Sequence, residues 1–176
     1  MSTKHLMKTA VMAASLMTMP SLAAAQTSGT LTVTATVESS IGMTFENDAS
    51  GVALTGASTN AATMAFGAVS AYNTIATPNV TRSVSASDFT VSSLFGVKVV
   101  KANSSSSSYT LAAALGSADA TNTWRINSTT LTTANQNLGT GYTYNSAVAH
   151  TVNLTVPLTP STGALSKVLN FTVTAN

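Results

Sequence analysis

The chain has 176 residues and no cysteine, so no disulfide framework can staple it. Only 7% of its residues are charged, against about 25% in ordinary globular domains, so solubility rests on Ser, Thr and Asn. The formal charge of +2 is carried by Lys4 and Lys8; past residue 25, Arg82, Lys98, Lys101, Arg125 and Lys167 balance Glu38, Glu46, Asp48, Asp88 and Asp119, which excludes a basic patch for nucleic acid or anionic membranes.

The first 25 residues read as a secretory leader. Lys4, His5 and Lys8 open it, an apolar run follows from Ala10 to Met19, and Pro20-Ser21-Leu22-Ala23-Ala24-Ala25 supplies the small residues of a cleavage site. No later stretch holds 18 uninterrupted apolar residues, so no membrane span is expected. The expectation is an exported product, soluble or assembled outside the cytoplasm. A chain with few charges and no net charge is colloidally weak as a monomer, whereas an assembled fibre or coat hides much of its surface. An ordinary Ser/Thr-rich secreted β-module remains the alternative.

Behind the leader, Leu31, Val33, Ala35 and Val37 alternate with Thr32, Thr34 and Thr36, the period of a strand with one buried side. The parity resumes at Ile41, Met43 and Phe45 after the Ser39-Ser40 interruption, which predicts two strands in succession. The first, with no hairpin turn after it, can close the chain's own sheet as an edge strand or pair with another subunit.

Glu46 to Gly51 is a turn cluster, and Val52 to Thr63 a loop with one weak strand. Met64 and Phe66 share a face in a short strand ended by Gly67. Ala71 to Thr81, with Pro78, is irregular; Val80, Arg82 and Val84 start another strand. Asp88 to Lys101 is the most hydrophobic stretch, a central strand or a pair bulged at Ser92-Ser93. The serine-rich turn 103–108 leads into a strand over Tyr109 to Leu115, so residues 94–115 are expected to form a hairpin.

Trp124 and Ile126 point inward from a short strand, with Arg125 outward and a turn at Asn127-Ser128. Tyr142 and Tyr144 fit a rim strand. Val152, Leu154, Val156 and Leu158 mark a strand from His150 to Leu158, with Pro157 at an edge or strand end. Leu169, Phe171, Val173 and Ala175 face inward from a last strand over Lys167 to Asn176. Some eight short strands at spacings near ten residues, without a helical period past the leader, predict an all-β sandwich.

Residues for chemistry are scarce. His150, the one histidine past the leader, is read as a solvated strand-end residue, and no Gly-x-Ser-x-Gly elbow accompanies it. The five acids lie in or beside turns, Glu46-Asn47-Asp48 lacks the further oxygen ligands of a calcium loop, and one His without Cys cannot assemble a zinc site. Asn-x-Ser/Thr occurs at Asn79, Asn103, Asn127, Asn153 and Asn170, as chance allows in so Ser/Thr-rich a chain. No catalytic residue, metal or cofactor is expected; an interaction protein is.

In the order of its parts the chain resembles the archaic chaperone-usher pilins, the spore coat protein U-like family. The parts are the leader, the alternating Leu31-Val33-Ala35-Val37 segment, the strand Ile41 to Phe45 after a Ser-Ser joint, the step Met64-Ala65-Phe66-Gly67, and the hydrophobic strand Lys167 to Asn176. The family's common cysteine pair has no counterpart here. The resemblance implies an incomplete immunoglobulin-like sandwich over residues 39–176, preceded by an N-terminal donor-strand extension over residues 26–38. It implies a groove, with Ile41, Met43, Phe45, Leu169, Phe171 and Val173 placed along it. In assembly a periplasmic chaperone fills that groove first, and Leu31, Val33, Ala35 and Val37 of a neighbouring identical subunit replace it at an outer-membrane usher. The expected function is a structural subunit of a surface fibre, a fimbrium for adhesion or biofilm formation. The rival expectation is a monomeric secreted carbohydrate-binding or matrix module.

Overall fold

The computed structural model describes residues 29–159 and 163–176; the expected leader, residues 1–25, lies outside the described residues. The chain divides into two units after Ala35. Of the first, residues 29–35 are described; they form no strand, and Leu31 and Val33 are 88% and 81% exposed. The strand expected from the alternation of Leu31 to Val37 is therefore not formed in the single chain. Alternation prepares one face for burial, but a strand also needs a partner for its backbone.

The second unit, Thr36–Asn176, carries nine strands: β1 (Ser40–Glu46), β2 (Thr81–Val84), β3 (Asp88–Ala102), β4 (Tyr109–Leu115), β5 (Thr123–Ile126), β6 (Thr129–Thr130), β7 (Gln136–Tyr142), β8 (Ala147–Pro157) and β9 (Leu169–Ala175). All pairings are antiparallel, and the described residues contain no helix. One sheet runs β1-β3-β8-β5-β6, with β2 also on β3; the other runs β7-β4-β9. Val91, Val97, Val99, Ile126 and Leu154 of the first sheet share one core cluster with Tyr109, Leu111 and Ala113 of the second. Two sheets around one core are the arrangement of a β-sandwich.

β3 is the spine of the first sheet. Its inward row is Phe89, Val91, Ser93, Phe95, Val97 and Val99, all buried, so Ser92-Ser93 neither breaks nor bulges the strand. Ser93 keeps its inward place because its hydroxyl is satisfied. Its Oγ accepts the Val52 N–H at 2.8 Å and donates to the Asn79 carbonyl at 3.0 Å, and the Asn79 amide in turn donates to the Gly51 carbonyl at 2.9 Å. A buried hydroxyl that bonds two backbone groups is not an interruption of the core. This knot ties both ends of the long connection between β1 and β2 to β3. Gly51 is required within it, since a Cβ there would lie 1.9 Å from the Leu94 carbonyl oxygen.

Three further expectations are corrected. Residues 94–115 are not a hairpin: β3 and β4 lie in different sheets, and the serine-rich segment between them crosses the sandwich. Met64 and Phe66 pack on the core as their parity requires, yet Met64–Gly67 joins no ladder and Gly67 turns away at φ +67°. His150 is not solvated; it is 2% exposed in the interior of β8.

Candidate inter-subunit groove

β1 pairs only with β3, and β9 only with β4, so each has an outer edge. The direction of the backbone groups follows from the bonds that flank the ladders. The Phe45 N–H donates to the Thr59 carbonyl at 2.8 Å, and the Phe45 carbonyl accepts the Ser58 N–H at 2.6 Å, both on the side away from β3. By alternation the N–H and C=O of Ile41 and Met43 also point outward. At β9, the Gly116 N–H bonds the Val168 carbonyl and the Asn176 N–H bonds the Ser108 carbonyl, which directs the even-numbered groups to β4. The groups of Leu169, Phe171, Val173 and Ala175 are thus turned to the outer edge. Apart from the Thr59 bridge at Phe45, no strand pairs along either outer edge among the described residues.

The same odd-numbered residues aim their side chains between the sheets. Met43, Phe45, Leu169, Phe171 and Val173 are partly buried against the core, and Ile41 is 37% exposed. Phe45 meets Phe171 edge-on at 5.1 Å between centroids, and Phe95 stands 5.8 Å from Phe171 in the same way. At the other end of the two strands, an open cleft of about 120 Å³ is lined by Ser39, Ser40, Ile41, Ser104 and Ala175. The six residues expected to line a groove therefore come together on one flank of the sandwich, on two strands distant in sequence. The four expected to fill it are placed otherwise. Leu31, Val33 and Ala35 belong to the unit described separately, and Val37, 74% exposed, precedes β1 outside any strand.

None of the six residues on β1 and β9 is charged; Lys101, opposite Ile41 on β3, turns its ammonium over the Tyr144 ring at 5.0 Å, and the other polar centres lie elsewhere. Asp119 caps its loop, accepting the N–H groups of Thr121 and Asn122 and the indole N–H of Trp124 at 2.8 Å. Lys167, on the approach to β9, stands 3.9 Å away. Burial opposes the charge of this carboxyl, and the donors around it outweigh burial, holding its pKa at about 2. His150 is packed 5.9 Å from the rings of both Phe95 and Tyr142. The Asn127 Oδ1 accepts the Thr151 N–H, which turns the Asn127 amide N–H toward His150 Nδ1 at 3.1 Å. Nδ1 is therefore the acceptor and Nε2 carries the proton, buried and without a partner. Burial lowers the pKa of His150. No group of three or more His, Cys, Asp or Glu side chains able to hold a metal ion occurs among the described residues, and these residues include no helix long and apolar enough to cross a membrane.

These features define an all-β protein of two antiparallel sheets with an apolar flank between two free strand edges. No protein-family model, curated protein or solved structure matches the chain.

Proposed function

We propose that the protein is the structural subunit of an extracellular fibre, exported through the periplasm and polymerised head-to-tail by donor-strand exchange. Residues 30–37 of one copy add a strand to the open flank of the next, completing an otherwise incomplete immunoglobulin-like sandwich. A periplasmic chaperone and an outer-membrane usher handle the subunit before assembly, and the fibre serves adhesion or biofilm formation.

The observation that carries this reading is the pair of free edges, β1 and β9, across one apolar opening. Unpaired edges with inward apolar rows are a liability that natural sheets cover, and strand addition satisfies both the backbone and the side chains. Burying Leu31, Val33 and Val37 contributes roughly 1.5–3 kcal/mol each, Ala35 less, and each new ladder bond adds roughly 0.5–1.5 kcal/mol. A head-to-tail contact does not close on itself, so it builds a filament.

Deleting residues 27–37 should leave a folded body, if need be with its chaperone, and abolish filaments in negative-stain micrographs. Val33→Asp should be exported normally and fail to polymerise. Filaments from the truncated chain would end the proposal. A single sharp monomer peak from the parental protein, with a sugar-dependent shift, would favour a carbohydrate-binding module.

A further inference from the structure

We infer the register and direction of the donated strand, and with them why a subunit cannot fill its own groove. This inference rests on the donor-strand reading. The groove is graded in width. At the level of Phe45 and Phe171 the two rings touch, so only a small side chain fits between them. Four residues further along each strand, Ile41 and Ala175 border the cleft of about 120 Å³, which has room for a large one. The inward row of the donor is graded as well: Leu31, Val33, Ala35, Val37.

A donor strand antiparallel to β9 with Ala35 opposite Phe171 brings Val37 to Leu169, Val33 to Val173 and Leu31 to Ala175. The smallest donor residue then meets the aromatic bottleneck, and the largest enters the cleft. Running the donor parallel to β9 with Ala35 kept at Phe171 puts Ser39 at the cleft and Leu31 beyond the end of β9. Shifting the antiparallel strand by two residues presses Val33 or Val37 against the rings. A shift by one turns the threonines inward. Among these placements, one satisfies both ends of the groove.

The direction has a geometric consequence. Ile41 is level with Ala175 and Phe45 with Phe171, so residue 47 is level with Leu169, and the donor runs parallel to β1. Val37 of the donor then sits at level 47, seven strand positions from Ser40, a distance of about 23 Å. Within one chain, the three links from Val37 to Ser40 span at most about 11 Å. The chain that enters β1 beside the Asn103 amide, which bonds the Glu38 carbonyl at 3.4 Å, cannot reach back. The strand in this register must come from a second copy. The opposite direction would need only a three-residue reversal over residues 38–40 to keep the apolar row inward, and would permit self-closure.

The chain has no cysteine, so engineered pairs report the register without background. Full-length protein with Leu31→Cys and Ala175→Cys, or with Val33→Cys and Val173→Cys, is assembled, oxidised and run on a denaturing gel. A ladder of covalent multimers is expected from both pairs, lost on reduction. A ladder from Val37→Cys with Ala175→Cys in place of these, or a disulfide closed within one chain, overturns the register while filaments in micrographs leave strand exchange standing. Filaments without a ladder from either expected pair also overturn it. Absence of filaments from the parental chain overturns the exchange reading and this inference together. As a second readout, Ala35→Leu should cut filament yield at least tenfold, and Phe171→Ala in the same chain should restore part of it. Unchanged yield from Ala35→Leu would count against the bottleneck.

Discussion

The ring of Phe45 in β1 meets the ring of Phe171 in β9 edge-on at 5.1 Å, a contact that joins the two sheets along the flank where the Thr59 bridge at Phe45 is the one outer pairing of either strand among the described residues. Edge-to-face pairs add about 0.5–1.5 kcal/mol beyond the area they bury. Removing the Phe171 ring from this half-buried site should cost about 2 kcal/mol, below the 3–5 kcal/mol of a fully buried Phe→Ala change. Urea unfolding of Phe171→Ala should show that loss, with Phe171→Leu costing about half as much. An unchanged midpoint would mean that the sheets are held together without this contact.

Ser93 offers a second test. Ser93→Ala removes the acceptor of the Val52 N–H and the donor to the Asn79 carbonyl, stranding backbone groups in the interior at roughly 1–3 kcal/mol. Because both ends of the β1–β2 connection meet β3 through this hydroxyl, amide hydrogen exchange at Val52 should accelerate along with the drop in stability. Exchange at Val52 as slow as in the parent would remove the knot from the account.

Acid should act first through His150. Its folded pKa lies below the ordinary 6.5 because it is buried, so on acidification the unfolded chain binds a proton that the folded one refuses. Stability is then complete above pH 6.5 and falls as the pH drops through the window beneath it, by at most about 1.4 kcal/mol per pH unit. Protonation would also set a new Nδ1–H against the Asn127 amide donor. His150→Gln should flatten the profile just below pH 6.5 in urea titrations; a slope that survives the substitution would assign it elsewhere.

The Asp119 cap should respond in a lower range. Its carboxyl is held at about 2 against an ordinary 3.8, so its contribution is intact above 3.8 and disappears as the pH falls toward 2. Asp119→Ala leaves the Trp124 indole and two backbone N–H groups without their acceptor, a loss of roughly 1–3 kcal/mol. Lys167→Ala, which removes a 3.9 Å ion pair and an exposed hydrogen bond to the Ala118 carbonyl at 3.1 Å, should cost under about 1 kcal/mol. Equal effects of the two substitutions would show that the cap depends on the ion pair.

The sequence announced which residues face inward far better than it announced which strands are neighbours. Period two in β1, β4, β8 and β9 reports a face, and those faces are where the structure has them. It carries no information on partners, so the adjacency of residues 94–115 suggested a hairpin where β3 and β4 pass to different sheets. Polarity misled in the same way at two places. Ser93 looked like a break and His150 like a rim residue, because the partners that satisfy them, Val52, Asn79 and Asn127, come from distant loops and turns. The inward faces of the six residues on β1 and β9 were legible from parity. What parity could not supply was the grading of the groove, because that depends on β1 and β9 lying level with one another across two sheets.

β1 is laid on β3 in unbroken register from Ser40 opposite Ala102 to Glu46 opposite Gly96. Tension arriving through Glu38 reaches the body at Ser40. The ladder bonds stand perpendicular to the strands, so a pull along β1 loads them in shear and all must yield together, whereas a sideways pull peels them singly. The attachment of the leading segment is therefore mechanically anisotropic, strong along one axis and weak across it.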